Sequence, residues 1–127
     1  MRTKLEDRCL EFGVEVIKLL RTGDDALTKR ARDQLLSSAT SIGANIAEAR
    51  SAQSRLDFIS KLEIALKEAR ETDYWLAVLY RTAARPSEEL RALVKECDEI
   101  TAMLVASVRT AKGRKKPSVI SEIEAQS

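Results

Sequence analysis

The sequence predicts an all-α fold, an up-down-up-down antiparallel four-helix bundle. Three observations carry this prediction. Apolar residues recur at steps of three and four through four separate segments, the spacing of one helix face. Strand and turn formers are scarce: one tryptophan, two tyrosines, two phenylalanines, four glycines and two prolines, which argues against a sandwich or barrel. The connections between segments are short, so consecutive helices fold back as antiparallel neighbours. At 127 residues there is room for one domain only. With 44% hydrophobic and 33% charged residues, a packed core is possible and wholesale disorder is not expected.

The first helix is expected over about residues 4 to 21, with Leu5, Cys9, Phe12, Val16, Leu19 and Leu20 on its apolar face. Gly23 supplies a stop, because glycine accepts the left-handed conformation that ends helices. Asp24 or Asp25 caps a second helix that runs to about Arg50, with the stripe Leu27, Ala31, Leu35, Ala39, Ile42, Ile46 and Ala49. A polar stripe, Ser38, Ser41, Asn45 and Glu48, lies beside it. The region 37–49 is crowded with Ser, Ala and Gly, whose small side chains let another helix approach.

Ser54-Arg55-Leu56-Asp57 has the spacing of a capping box and starts the third helix, which reaches about Ala83. Its main seam is Phe58, Leu62, Ala65, Ala69, Thr72, Leu76 and Leu79. A second seam, offset by one, is Ile59, Glu63, Leu66, Arg70, Asp73, Ala77 and Tyr80; it mixes charge with apolar groups, as a subunit boundary does. Two seams imply more than one partner surface. Pro86 suits the first turn of a fourth helix, with Glu88 and Glu89 near its positive end. Leu90, Leu93, Val94, Cys97, Ile100, Thr101, Leu104 and Val108 form its stripe, and Gly113 stops it. The bundle is thus expected over 1–112 and a flexible basic tail over 113–127, where Val119, Ile120 and Ile123 are the apolar residues that could dock.

There is no histidine, which removes the Ser-His and Cys-His catalytic pairs and histidine zinc sites. Cys9 and Cys97, with no CxxC spacing, fall on apolar stripes and are expected as reduced core residues. The charged N-terminus is unlike a signal peptide and no stretch is apolar enough to span a bilayer, so a cytoplasmic protein is expected. Net charge is +2, too small to point to nucleic acid by itself.

Local clusters carry the functional candidates. Ser41, Asn45 and Glu48 are candidates for a buried polar network, either fixing helix register or reading a ligand. Glu48, Glu63, Glu68, Glu71 and Asp73 invite a metal-carboxylate site, but bundles that hold one add histidines, and Lys67 and Arg70 lie within helical reach as ion-pair partners. Neither a metal nor another cofactor is therefore expected. Ile59, Glu63, Leu66, Arg70, Asp73, Tyr74, Trp75 and Tyr80 are candidates for an oligomer interface, with Trp75 as an anchor. Arg109, Lys112, Arg114, Lys115 and Lys116 are candidates for phosphate contacts; helix-end complementarity accounts for the first two alone.

The stretch Thr40-Ser41-Ile42-Gly43-Ala44-Asn45-Ile46-Ala47-Glu48-Ala49, then Asp57-Phe58, then the run from Ile64 to Leu76 with Lys67-Glu68-Ala69-Arg70-Glu71-Thr72-Asp73-Tyr74-Trp75 at its centre, resembles a known family. This is the four-helix-bundle family of proteins encoded in intervening sequences of bacterial large-subunit ribosomal RNA genes, also described as S23-like. The accessory variability protein of diversity-generating retroelements is similar to it. Many relatives carry glycine where this chain has Ala49. The resemblance implies a bundle subunit that assembles into a pentameric ring, with no established catalysis. For the retroelement relatives it implies binding of nucleic acid and a reverse transcriptase through a positively charged barrel surface. The expectation is a non-enzymatic, self-associating adaptor that binds RNA, DNA or a nucleic-acid-processing protein, with no role at a membrane. Alternatives are a pure protein-interaction module and a metal-carboxylate enzyme.

Overall fold

Helix boundaries are set by side chains that satisfy the free N–H groups of a first turn. In the computed structural model, which describes residues 2–22 and 29–113, Thr3 and Glu6 form a reciprocal cap: the Glu6 N–H donates to Thr3 Oγ1 at 3.2 Å and the Thr3 N–H donates to Glu6 Oε2. This opens α1, Lys4–Thr22. The expected stop at Gly23 and cap at Asp24 or Asp25 lie outside the described residues, as does Leu27. Helix α2 spans Lys29–Ala49 and ends without a left-handed residue. Three tight backbone bonds close it instead, from the amides of Arg50, Ser51 and Ala52 to carbonyls three residues back.

Helix α3, Arg55–Thr82, starts as the sequence predicts: the Asp57 N–H donates to the Ser54 hydroxyl at 3.0 Å. Helix α4, Glu88–Ala111, departs from expectation. Pro86 is not in its first turn. Ser87 is the N-cap, with its Oγ accepting from the Leu90 N–H at 3.1 Å, so proline stands one residue before the cap. A hydroxyl that satisfies an orphan donor fixes the start where a residue without an N–H contributes only its φ. Gly113, at φ +71°, ends the helix in the left-handed conformation that suits glycine.

The four helices close around one core: α1 packs on α2 and α4, and α3 packs on the same two. Phe12, Val16, Leu35, Ile42, Leu76, Ile100 and Leu104 are fully buried at its centre. These are the predicted stripes. Ala39, Ala65 and Ala69 are also sealed, and the α2–α3 contact is the most extensive of the four. Gly43 brings α2 against the backbone of α1, where a Cβ would lie 3.4 Å from the Cys9 carbonyl oxygen. The α1–α4 contact is the thinnest, and a cleft of about 880 Å³ lies along it. No strand occurs among the described residues, and none of the described helices is long and apolar enough to cross a membrane.

Candidate interaction surfaces

The C-terminal end of α4 gathers cations. Arg109 is exposed in the last turn. Lys112 Nζ lies 3.0 Å from a Glu63 carboxylate oxygen, an exposed pair joining α4 to α3. Arg55 donates from Nε and Nη2 to the Ala111 carbonyl. Cations at a helix C-terminus oppose its partial negative charge, which explains the position of all three. Arg55 has no counterpart in the sequence reading, because nothing in residues 54–57 signals a contact to a helix end 56 residues away. Arg114, Lys115 and Lys116, together with Val119, Ile120 and Ile123, lie outside the described residues.

The second seam of α3 divides. Leu66 packs on the core and Ile59 is half-buried. Glu63 is tied to Lys112, while Arg70 is exposed. Asp73 on α3 faces Asp98 on α4, and its carboxyl is pushed above the usual range, first by desolvation and then by the neighbouring carboxylate. Tyr74 is 60% exposed and meets the Trp75 ring edge-on at 5.0 Å between centroids. Tyr80 is also exposed. Trp75 itself leans on the core, and its buried Nε1 has no hydrogen-bond partner among the described residues.

The expected buried network of Ser41, Asn45 and Glu48 does not form within the chain. Ser41 donates to the Ser37 carbonyl at 2.7 Å and Asn45 Nδ2 donates to the Ser41 carbonyl at 2.8 Å, both bonds local to α2. Glu48 is exposed and, among the described residues, reaches only Lys61, at 4.0 Å. The reason is rotational: the core-facing hydroxyl on this helix is Ser38, three residues after Leu35. Thr72 Oγ1 on α3 donates to Ser38 Oγ at 2.9 Å, and Ser38 passes a bond to the Leu35 carbonyl at 3.3 Å. Both residues are fully buried.

Two ion pairs hold α1 in place. Arg50, just past α2, donates to Glu6. The Thr3 amide first, and then Arg50, hold the Glu6 carboxyl below the usual carboxylate range. Arg8 reaches across to α4, donating from Nε to Glu96 at 2.9 Å and from Nη2 to the second Glu96 oxygen. On the outer side of α1 and α2, Leu10 (50%), Ile17 (40%) and Leu36 (38%) are exposed beside the half-buried Val14. A depression of about 390 Å³ runs beside Leu10, Val14 and Ile17, floored by Gly13, Gly43, Ala44 and Ala47. The steps from Leu10 to Val14 to Ile17 were a legible second stripe on α1.

Among the described residues no three acidic or cysteine side chains converge on a point that could hold a metal ion. Cys9 and Cys97 are free and buried, with burial as the main cause that pushes both thiols up to about 12.

The sequence profile of the family described as 23S rRNA-intervening sequence protein matches residues 3–106, most of the chain. The chain belongs to that family. A crystal structure of a protein with unknown function, from the S23 ribosomal protein family of Bacteroides thetaiotaomicron VPI-5482, is similar to it. That protein is 42% identical, with a TM-score of 0.75, and the match covers 83% of this chain and 98% of the other. No curated protein matches. In this intervening-sequence protein the two motif stretches form the two sides of one contact. Ile42, Ile46 and Ala49 from the first, and Ala65, Ala69, Thr72 and Leu76 from the second, are all buried. The motif therefore encodes how α2 meets α3. Ala49 is buried at the very end of α2, and the tight backbone bonds that follow make the turn without a glycine.

Proposed function

We propose that this intervening-sequence protein is a non-enzymatic cytoplasmic adaptor. Its subunits follow an up-down-up-down course, assemble into a homo-oligomeric, pentameric ring, and bind RNA or DNA through the cationic end of α4. The observation that carries the binding is the grouping of Arg55, Arg109 and Lys112 at that end, with Arg114, Lys115 and Lys116 next in sequence. Pairing of Arg50 with Glu6 and of Arg55 with Ala111, each joining the start of one helix to the end of its neighbour, supports the alternating course. A ring repeats the patch in every subunit, so weak phosphate contacts add.

Fluorescence anisotropy with a labelled single-stranded RNA and a DNA duplex tests this. Affinity is expected to fall steeply with salt, by a slope of about −0.7 to −0.9 for each phosphate neutralised. Replacing Arg114, Lys115 and Lys116 by alanine reduces both affinity and slope; unchanged binding rejects the patch. The near-neutral charge of the chain and its exposed apolar face favour a second reading, a protein-interaction module without nucleic acid. A partner that co-purifies equally with and without nuclease treatment supports that reading.

A further inference from the structure

We infer that the C-terminal segment of this chain straps its own bundle, Val119, Ile120 and Ile123 filling the depression between α1 and α2. The inference is independent of the ring and the nucleic-acid contacts proposed above. The groove is apolar where a solvated helix pair is polar: Leu10 is 50% exposed and Ile17 40%, and with Val14 they stand along a floor of glycine and alanine. The sequence supplies an apolar segment with no place in the four stripes. Val119, Ile120 and Ile123 have the spacing of one face of a helical turn, and the family profile ends at residue 106, short of them. Seven residues from 119 to 125 make about 10 Å of helix, which is also the rise from Leu10 to Ile17 along α1. Gly13, Gly43, Ala44 and Ala47 leave the depth that an apolar turn needs to approach closely.

Reach selects this groove. Gly113 closes α4 at the end of the bundle where α2 also ends, since Ala49, Val108 and Ala111 belong to one buried cluster. Arg50, next after Ala49, forms the mouth of the groove with Arg2 and Glu6. Six residues carry the chain from Gly113 to Val119, a span of up to about 20 Å, twice the width of a helix. The larger cleft between α1 and α4 is out of range. Glu96, its lining residue nearest Gly113 on α4, stands 17 residues earlier, about 25 Å along the helix. Leu56 is nearer the exit but lines neither depression. Charge agrees with the placement. Residues 117–127 hold two acids, Glu122 and Glu124, and no base. At the mouth, Glu6 is 5% exposed beneath an Arg50 that is 46% exposed, so a guanidinium faces outward, and Arg2 is 51% exposed. Docking draws Arg114, Lys115 and Lys116 across the base of the bundle on the way.

Hydrogen exchange of the full-length chain, read by mass spectrometry, is compared with that of Val119→Ser/Ile120→Ser/Ile123→Ser, which leaves every residue of the bundle in place. Peptides spanning 10–17 and 40–47 are expected to exchange about tenfold faster in the variant, and peptides spanning 93–104 at the same rate. Unchanged exchange over 10–17 and 40–47 overturns the inference. Exchange that quickens equally at 93–104 overturns the assignment to this groove. Disulfide trapping then asks whose segment is bound. On mild oxidation Leu10→Cys/Ile123→Cys is expected to close a loop within one chain, the two native thiols being buried. Closure should run about tenfold faster than in Leu56→Cys/Ile123→Cys, because an undocked segment would meet position 56 first. Equal rates overturn the docking. A disulfide between separate chains as the main product, on mixing Leu10→Cys with Ile123→Cys, overturns the intrachain path and gives the groove to a second copy.

Discussion

Arg55, in the first turn of α3, holds the last carbonyl of α4: its Nε and Nη2 donate to Ala111 O at 3.0 and 2.7 Å. The same guanidinium lies where a side chain on Gly113 would begin, since a Cβ there would be 2.8 Å from Nη2. One arginine thus closes α4 and sets how the chain leaves it. Arg55→Ala is expected to cost about 1 kcal/mol, the value of an exposed charge-assisted bond, and to lower Tm by roughly 4 °C. Amide exchange at 110–113 should speed up while the α1–α2 amides keep their rates. Unchanged exchange there would show that the carbonyl needs no cap.

Glu6 gives the protein a signature in acid. Its carboxyl is held low by the Thr3 amide and by Arg50. A depressed carboxyl contributes stability that is fully present above its unfolded value, about 4.3, and is lost as pH falls through the lower folded value. Glu6→Gln should therefore lower Tm at neutral pH and flatten the decline below about pH 4.3. Parallel Tm curves for wild type and variant across that range would contradict the assignment.

Asp73 behaves with the opposite sign. Desolvation and the facing Asp98 carboxylate raise it, so the folded chain holds that proton more tightly than the unfolded chain. Its unfavourable contribution is absent at low pH and grows as pH rises through the raised value. Asp73→Asn is expected to stabilise the protein at pH 7, by about 0.5 kcal/mol at most because solvent screens an exposed pair. The gain should vanish near pH 3. A loss of stability at pH 7 would mean that Asp73 has a favourable partner.

The Thr72–Ser38 bond is the sole described link between two fully buried polar side chains. Thr72→Val is expected to cost about 1–2 kcal/mol by leaving Ser38 without its donor. Adding Ser38→Ala should restore part of that, with a coupling of about 1 kcal/mol in the double-mutant cycle. Strict additivity would show that the hydroxyls act independently.

Much of this architecture was legible in the periodicity of the chain. The stripes through Phe12, Leu35, Leu76 and Ile100 specify four helices because burial repeats with the helical turn. What periodicity does not carry is which neighbour covers a given flank. Ser41, Asn45 and Glu48 follow a helical line as regular as that of Ser38, yet of the four only Ser38 is buried against another helix, since the rotation of α2 is set by packing against α3. Leu66 has the spacing of an outer seam and lies inward for the same reason. Leu10 and Ile17 show the converse: apolar residues off the main stripe that none of the described helices covers. Contacts such as Arg55 with Ala111 depend on where two distant ends meet, which no local pattern encodes.

Gly43 has a bearing on how this chain can vary. At that point the wall between inside and outside is main chain from two helices nearly in touch, the Cys9 carbonyl on one side and a bare Cα on the other. Side-chain drift cannot reshape such a wall. An alanine methyl would still sit in ordinary contact with Cys9, at 3.4 to 3.6 Å, but a side chain that reaches further would have to prise α1 from α2, so the contour presented outward is inherited along with the fold.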